Sequence, residues 1–150
     1  ELFSPKFNVV PPGVNESYYF PYSRMEDRVQ SDRERVEELL FTLDDPVQAY
    51  GKLDDPNKRP IFSVARLDRI KNLTGLAECF GKSEALQEHC NLILIAGKLR
   101  VEESEDNEEK DEIVKLYSII DQYNLHGKIR WLGVRLPKSA SGEVYRVIAD

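Results

Sequence analysis

Apolar residues in the second half of the chain follow two spacings, one typical of buried strands and one typical of helices. Short, mostly apolar runs occupy residues 61–65 (IFSVA), 92–96 (LILIA) and 129–132 (IRWL). Such runs are typical of strands that are buried on both faces of a sheet. Other apolar residues recur every three or four positions, as on one face of a helix. These helical positions are Leu73, Leu76, Ala77 and Phe80, then Ile113, Leu116, Tyr117 and Ile120, with a last helix predicted from Glu143 to Ala149.

The order of these segments predicts the fold class. Strands and helices alternate three times, which indicates right-handed crossovers and a parallel sheet. We therefore predict an α/β fold, a Rossmann-like parallel sheet with flanking helices, over residues 60–150. Sheets of this kind bind ligands beyond the carboxyl ends of their strands.

The first 59 residues have a different pattern. Residues 1–22 are rich in proline and aromatic residues, and a strand candidate at 7–10 ends at Pro11-Pro12-Gly13. We interpret them as an interdomain strand or crossover segment, with a plain connecting loop as the alternative. Residues 23–59 contain one narrow apolar stripe between charged flanks, which predicts a peripheral surface helix and a linker. The stripe comprises Val36, Leu39, Leu40 and Leu43.

Charge and cysteine content exclude some classes of partner. The net charge is −6, which argues against binding to nucleic acid or to an anionic membrane surface. No apolar run approaches the roughly 20 residues that span a bilayer. Cys79 and Cys90 lack metal-binding spacing, so we expect reduced thiols and a cytoplasmic protein.

Two other groups of polar residues are expected to lie at the surface. Residues 102–112 are mostly acidic. We predict a solvated loop leading into a helix, with a metal site as the alternative. His89 and His126 are isolated in the sequence and are predicted to be surface or capping residues.

A cluster of cations follows the first predicted strand of the parallel sheet. Arg66, Arg69 and Lys71 precede a helix that is predicted to begin near Asn72. An anion bound there would meet the positive end of the helix and the guanidinium forks. From the residues alone, a solvated charged loop is the alternative. The chain contains neither a dinucleotide-binding glycine motif nor a P-loop motif.

Several segments resemble a known family. RLDRIKN at 66–72 resembles the motif after the first strand of the C-terminal domain in retaining GT-B glycosyltransferases, and PPGV at 11–14 resembles the segment before that domain. Longer segments are similar to the sucrose synthase family, and the resemblance covers essentially the whole chain. Sucrose-phosphate synthases are the alternative, although they usually carry a proline where Leu67 stands here. The longer segments are FNVVPPGVNESYYFPY, SVARLDRIKNLTGLAECFGKSEAL, DNEEKDEIVKLYSIIDQYNLHGKIRW and GEVYR.

The resemblance implies an activity and roles for two cations. Members of this family transfer glucose reversibly between sucrose and a nucleoside diphosphate, with retention of configuration. Arg66 and Lys71 would be the catalytic residues, because they would stabilise the charge of the diphosphate. Arg69 matches no fixed role, and we expect it to be solvated. No metal or other cofactor is implied. The expected partners are the nucleotide sugar, sucrose and fructose, and a homo-oligomeric parent stays open.

The resemblance also bears on which nucleotide base is bound and on whether the chain is a whole domain. Plant members contact uracil through a glutamine and an asparagine, and these positions are Arg135 and Ser141 here. These side chains lack the paired donor and acceptor of an amide, so either UDP or ADP is expected. The chain would be part of the C-terminal nucleotide-binding domain, truncated and inactive alone. A nucleotide-binding α/β module without transferase activity is the alternative from another class.

Overall fold

A computed structural model describes residues 13–21, 23–24, 26 and 28–150, and the predicted strand at 7–10 lies outside these residues. The described residues form a four-stranded sheet in the order β1-β4-β3-β2, with helices on both faces. The strands are β1 Ala49–Tyr50, β2 Arg59–Val64, β3 Cys90–Ile95 and β4 Ile129–Leu132. The α-helices are α1 Gln30–Glu37, α2 Leu73–Lys82, α3 Glu84–His89, α4 Asn107–Gln122 and α5 Lys138–Ala149. A π-helical turn, Glu38–Thr42, continues α1, and a 3₁₀ turn, Val101–Glu103, precedes α4.

The prediction of a parallel arrangement for three strands is confirmed. Strand β3 pairs in parallel with β2 on one side and with β4 on the other, so Leu92 lies opposite both Ile61 and Ile129. Strands β2 and β3 begin and end slightly earlier than predicted, whereas β4 has the predicted bounds. Helix α5 begins at Lys138, before the predicted start at Glu143.

Both faces of the central strand are covered, which explains its unbroken apolar run. Leu92 and Leu94 face a core that is covered by α2 and α4. Ile93 and Ile95 point to the opposite face and pack against α1 and α5. Because successive side chains alternate between the faces of a sheet, a strand that is covered on both sides needs an apolar residue at every position.

The apolar stripe of the segment that was predicted to form a peripheral helix and linker packs into the second core. Val36 and Leu40 are fully buried. Strand β1 pairs antiparallel with β4, which adds a fourth strand to the three that were predicted. A two-residue strand leaves too little apolar pattern to be recognised in the sequence. The proposed domain division at residues 22 and 59 stays a prediction.

One buried arginine attaches this segment to the sheet. Arg130 lies within β4 with 2% of its surface exposed. Its guanidinium donates hydrogen bonds to the carbonyl oxygens of Leu39, Leu43 and Gly51, at 2.7–3.1 Å. Burial lowers the pKa of Arg130. One side chain thereby donates to three backbone carbonyl groups.

A second buried cluster attaches the N-terminal segment to α5. Glu143 accepts hydrogen bonds from Arg28 at 2.5 Å and from Arg146 at 2.7 Å, and its side chain is 1% exposed. The guanidinium of Arg146 also lies 3.8 Å from the centre of the Phe20 ring. The described residues before α1 are therefore held against the sheet domain by paired charges and by a cation–π contact.

Candidate functional site

A cleft lies where the carboxyl ends of the three parallel strands meet. Its volume is about 810 Å³. Val64, Ala96 and Gly133 line its floor, and each lies at or just after the end of β2, β3 or β4. This is the edge at which open α/β sheets bind their ligands. The volume is in the range of about 300–1,000 Å³ that is usual for small-molecule sites.

The loop between β2 and α2 forms one wall of the cleft and is organised around Asp68. Its carboxylate accepts a hydrogen bond from the Lys71 backbone N–H at 2.8 Å and pairs with the Arg66 guanidinium at 3.2 Å. Leu67 is buried and anchors the loop in the first core. Asn72 adopts a left-handed conformation, with φ of 51°, and α2 begins at the next residue. The loop therefore delivers its cations beside the positive end of a helix.

The predicted phosphate-binding cations lie at the two ends of this loop. Arg66 lines the cleft with its side chain 81% exposed. Lys71 is exposed but lies outside the lining, and its ammonium has no hydrogen-bond or ion-pair partner among the described residues. Arg69 points outward and pairs with Asp111 at 3.3 Å, with its side chain 67% exposed. The expectation that Arg69 is solvated is confirmed.

The two residues predicted to contact the base lie on the opposite wall. Arg135 follows β4, and Ser141 lies in the first turn of α5. Both line the cleft. The Ser141 hydroxyl donates to the Pro137 carbonyl oxygen at 3.1 Å, so its lone pairs remain as acceptors. The fold therefore brings Arg66, Arg135 and Ser141 to one cleft from distant parts of the sequence, with Lys71 at its margin.

The acidic run was predicted to be a solvated loop that leads into a helix. Helix α4 does begin within it, but the carboxylates at the start of this helix are not simply solvated. Glu108 and Glu109 line the cleft at the start of α4, and Glu112 is buried. Glu109 accepts hydrogen bonds from the Lys98 backbone N–H at 3.2 Å and from the Ser104 hydroxyl. A sequence signal existed for Glu112, which shares the apolar face of α4 with Leu116, four residues later.

Another cation at the cleft was missed by the sequence analysis. Lys98 is exposed, follows the left-handed Gly97 in the loop after β3, and lines the cleft. A lysine just after a predicted strand is the signal that could have identified it. Together with Arg66 and Arg135, it gives each of the three parallel strands one cation at its carboxyl end. The neighbouring carboxylates of Glu108 and Glu109 accept hydrogen bonds from backbone N–H groups and not from these three cations. The cations therefore keep donors for an anion.

Other candidate groups lie away from the cleft. His89 and His126 are exposed as predicted, with their side chains 73% and 57% exposed and carboxylates of Glu88 and Asp121 within ion-pair distance. Cys79 and Cys90 are free thiols. Within the described ranges, no group of three or more His, Cys, Asp and Glu residues could hold a metal ion. Those ranges also contain no helix long and apolar enough to cross a membrane.

The chain is similar to known proteins over its whole length. A family model described as the sucrose synthase first GT-B domain matches residues 1–41. The chain is 73% identical to the sucrose synthase of Thermosynechococcus vestitus and 47% identical to sucrose synthase 2 of Arabidopsis thaliana, and each match covers 100% of this chain. The sucrose synthase of Melioribacter roseus is 49% identical over 99% of the chain. The chain spans about a fifth of the length of these relatives, 19% in each case.

Proposed function

The chain belongs to the sucrose synthase family, and from that premise we propose that it is the part of the transferase that binds the nucleoside diphosphate. The observation that carries the proposal is the cleft at the carboxyl edge of the parallel sheet, where three strands each present one cation. A diphosphate is an anion that guanidinium and ammonium groups recognise by charge-assisted hydrogen bonds. The parent would transfer glucose reversibly between sucrose and the nucleoside diphosphate, with retention of configuration.

We also propose that the sheet belongs to the C-terminal, nucleotide-binding domain of a GT-B enzyme. The model of the first GT-B domain matches residues 1–41 and stops before β1. The sheet and the cleft are formed by residues from 49 onward. A boundary near the N-terminal segment would place the cleft between the two domains of the parent, facing the sugar acceptor.

The proposed chemistry is electrostatic. When the bond between glucose and the diphosphate breaks, negative charge grows on the bridging phosphate oxygen. Arg66 and Lys71 would stabilise that charge, and they would do so more strongly in the transition state than in the ground state. In the reverse direction, the same cations would hold the diphosphate as the nucleophile. We propose no resident metal or other cofactor for this step, because the cations would supply the positive charge.

The base would lie toward the opposite wall of the cleft. Arg135 donates hydrogen bonds but accepts none, whereas the Ser141 hydroxyl can accept one. Arg135 could donate to a carbonyl oxygen of uracil or to a ring nitrogen of adenine, and Ser141 could accept from the N3–H group of uracil or from the amino group of adenine. We therefore propose UDP or ADP as the substrate nucleotide, with nucleotide sugar, sucrose and fructose as the small-molecule partners of the parent.

Substitution of the two cations in the full-length parent enzyme tests the proposal. Arg66→Ala and Lys71→Ala are each expected to lower the turnover number by about two to three orders of magnitude, the usual cost of removing one electrostatic contact to a transition state. Steady-state kinetics with UDP and with ADP measure the effect, and thermal melts check the fold.

Arg69→Ala is the matched control, since it removes a cation of the same loop that points away from the cleft. It is expected to change turnover by less than about twofold. Equally mild effects of all three substitutions would show that the loop is a solvated surface feature, and the proposal would fail.

A further inference from the structure

The start of α4 holds the loop that carries the proposed phosphate-binding cations. The Glu108 carboxylate accepts a hydrogen bond from the backbone N–H of Arg69 at 2.9 Å. Arg69 lies between Arg66 and Lys71, so this bond fixes the middle of the loop. The two residues are 39 positions apart in sequence, and the contact therefore joins two separate walls of the cleft.

Two further contacts extend the attachment on either side of Glu108. Glu112 accepts a hydrogen bond from the Thr74 hydroxyl at 2.6 Å, and both side chains are buried. This bond ties α4 to the first turn of α2. Glu109 holds the neighbouring loop after β3 through the Lys98 backbone N–H at 3.2 Å. Successive carboxylates of one helix thus contact the loops that follow two adjacent strands.

The attachment from α4 adds to the anchor that the buried Leu67 gives the loop and to the contacts inside the loop. Inside it, the Asp68 carboxylate bridges Arg66 and the Lys71 backbone N–H. The side chains of Arg66 and Arg69 are 81% and 67% exposed, and Lys71 is exposed as well. Exposed long side chains lose much rotamer entropy when they are fixed on a ligand. A backbone that is already held in place lowers the total cost of ordering.

We propose that Glu108 is a positioning residue for the diphosphate-binding cations, acting through the Arg69 backbone N–H, with Glu109 and Glu112 holding the adjoining segments. The proposal rests on the proposed function of the cleft. In this role, the Glu108 carboxylate accepts a hydrogen bond from the protein backbone and makes no contact with the ligand. The acidic residues of an anion site are thereby explained, since their negative charge is engaged by backbone donors.

The test uses the full-length enzyme with Glu108→Ala and Glu108→Gln. Glu108→Ala removes the acceptor and is expected to raise the KM for the nucleoside diphosphate about five- to tenfold, the usual effect of losing one hydrogen bond. The KM for sucrose is expected to stay within about twofold. Glu108→Gln keeps an acceptor oxygen and is expected to restore most of the nucleotide affinity.

Glu105→Ala is the matched control. Glu105 is an exposed residue of the same acidic run, and it lies outside the lining of the cleft. Glu105→Ala removes the same charge three residues before Glu108, so a general electrostatic effect of the acidic run would appear in both variants. A KM change in Glu105→Ala equal to that in Glu108→Ala would overturn the positioning role.

Inorganic pyrophosphate separates positioning from direct contact. It carries the diphosphate without base or ribose, and its inhibition constant is expected to rise in Glu108→Ala by the same factor as the nucleotide KM. An unchanged inhibition constant would mean that Glu108 contacts the ribose or base, and the proposal would be wrong.

The same measurement on Arg66→Ala tests the proposed function separately. If Arg66→Ala binds pyrophosphate as tightly as the wild type, the proposed function fails. If only Arg66→Ala loses binding, the role of Glu108 alone is overturned.

Discussion

The buried arginines of this chain and the cations at its cleft have the same chemistry and opposite surroundings. Arg130 is 2% exposed and donates to three carbonyl oxygens, and Arg146 is 6% exposed and donates to Glu143 and to the Tyr18 carbonyl oxygen. The side chain of Arg66 is 81% exposed and has one carboxylate partner, and Lys71 has none among the described residues. The buried guanidinium groups are engaged by the protein, whereas the cleft cations keep donors for a ligand.

This difference shows how to separate structural from functional cations in a single chain. A buried arginine loses water on all sides, so the fold must supply an acceptor for nearly every donor. An exposed cation keeps its water, and a ligand can replace that water without any change in the fold. We therefore expect substitutions at Arg130 to change stability and substitutions at the cleft to change activity.

The largest effect on stability is expected for Arg130→Met. The methionine side chain leaves the carbonyl oxygens of Leu39, Leu43 and Gly51 without their donor, and relief of the buried charge offsets only part of this loss. The free energy of unfolding should fall by about 3 kcal/mol. Urea denaturation of the chain measures it.

Arg66→Met is the matched control for that experiment, because it makes the same change at an exposed arginine. Its free energy of unfolding should stay within about 0.5 kcal/mol of the wild type. Equal losses of stability in the two variants would erase the distinction between the buried and the cleft arginines.

A smaller effect, on activity alone, is expected for Lys71→Arg. Arginine keeps the charge but replaces a compact ammonium by a planar fork, so the distance to a phosphate oxygen changes. The turnover of the full-length enzyme should fall about tenfold, less than for Lys71→Ala. Steady-state kinetics with saturating nucleotide measure it. Full activity would mean that charge alone is required at this position, and a loss as large as that of alanine would mean that geometry alone decides.

The sequence pattern predicted the parallel sheet because burial on both faces leaves a strong signal. Residues 92–96 are apolar throughout, and such a run has few interpretations once helices flank it. The same pattern predicted the cleft only by its place at the strand ends. The resemblance to the family supplied Arg66, Lys71, Arg135 and Ser141, whose positions in or beside the cleft depend on loops that no periodicity describes.

The contacts of β1 and of Arg130, which the sequence analysis missed, are long-range. Strand β1 is two residues long and is defined by its pairing with β4. The bond from Arg130 to Leu39 joins residues 91 positions apart. The charge of Arg130 within a predicted buried strand was a usable signal, since such a residue requires partners. It could not identify those partners, because three backbone carbonyl groups carry no side-chain pattern.

The smallest effect is expected for Lys82→Ala, which tests a cation that is neither buried nor at the cleft. Lys82 donates to Glu78 at 2.6 Å across one turn of α2, and this hydrogen bond and the neighbouring charge lower the pKa of Glu78. A carboxyl with a lowered pKa in the folded state contributes stability above its unfolded pKa, and that contribution disappears as the pH falls through the folded value. Lys82→Ala should therefore raise the pKa of Glu78 toward its ordinary range, and NMR titration of the Glu78 carboxyl carbon measures the change. The stability difference from the wild type should shrink at acidic pH, because Glu78 becomes protonated. It should also shrink at high salt, because the pair is exposed and screened.

Lys115→Ala is the control, since Lys115 lowers the pKa of Glu78 only through its charge and less than Lys82 does. An equal rise in the Glu78 pKa from both substitutions would show that the hydrogen bond adds nothing to the charge. An exposed cation would then act on a neighbouring carboxylate only through its charge, and burial alone would distinguish the exposed cations from the buried arginines.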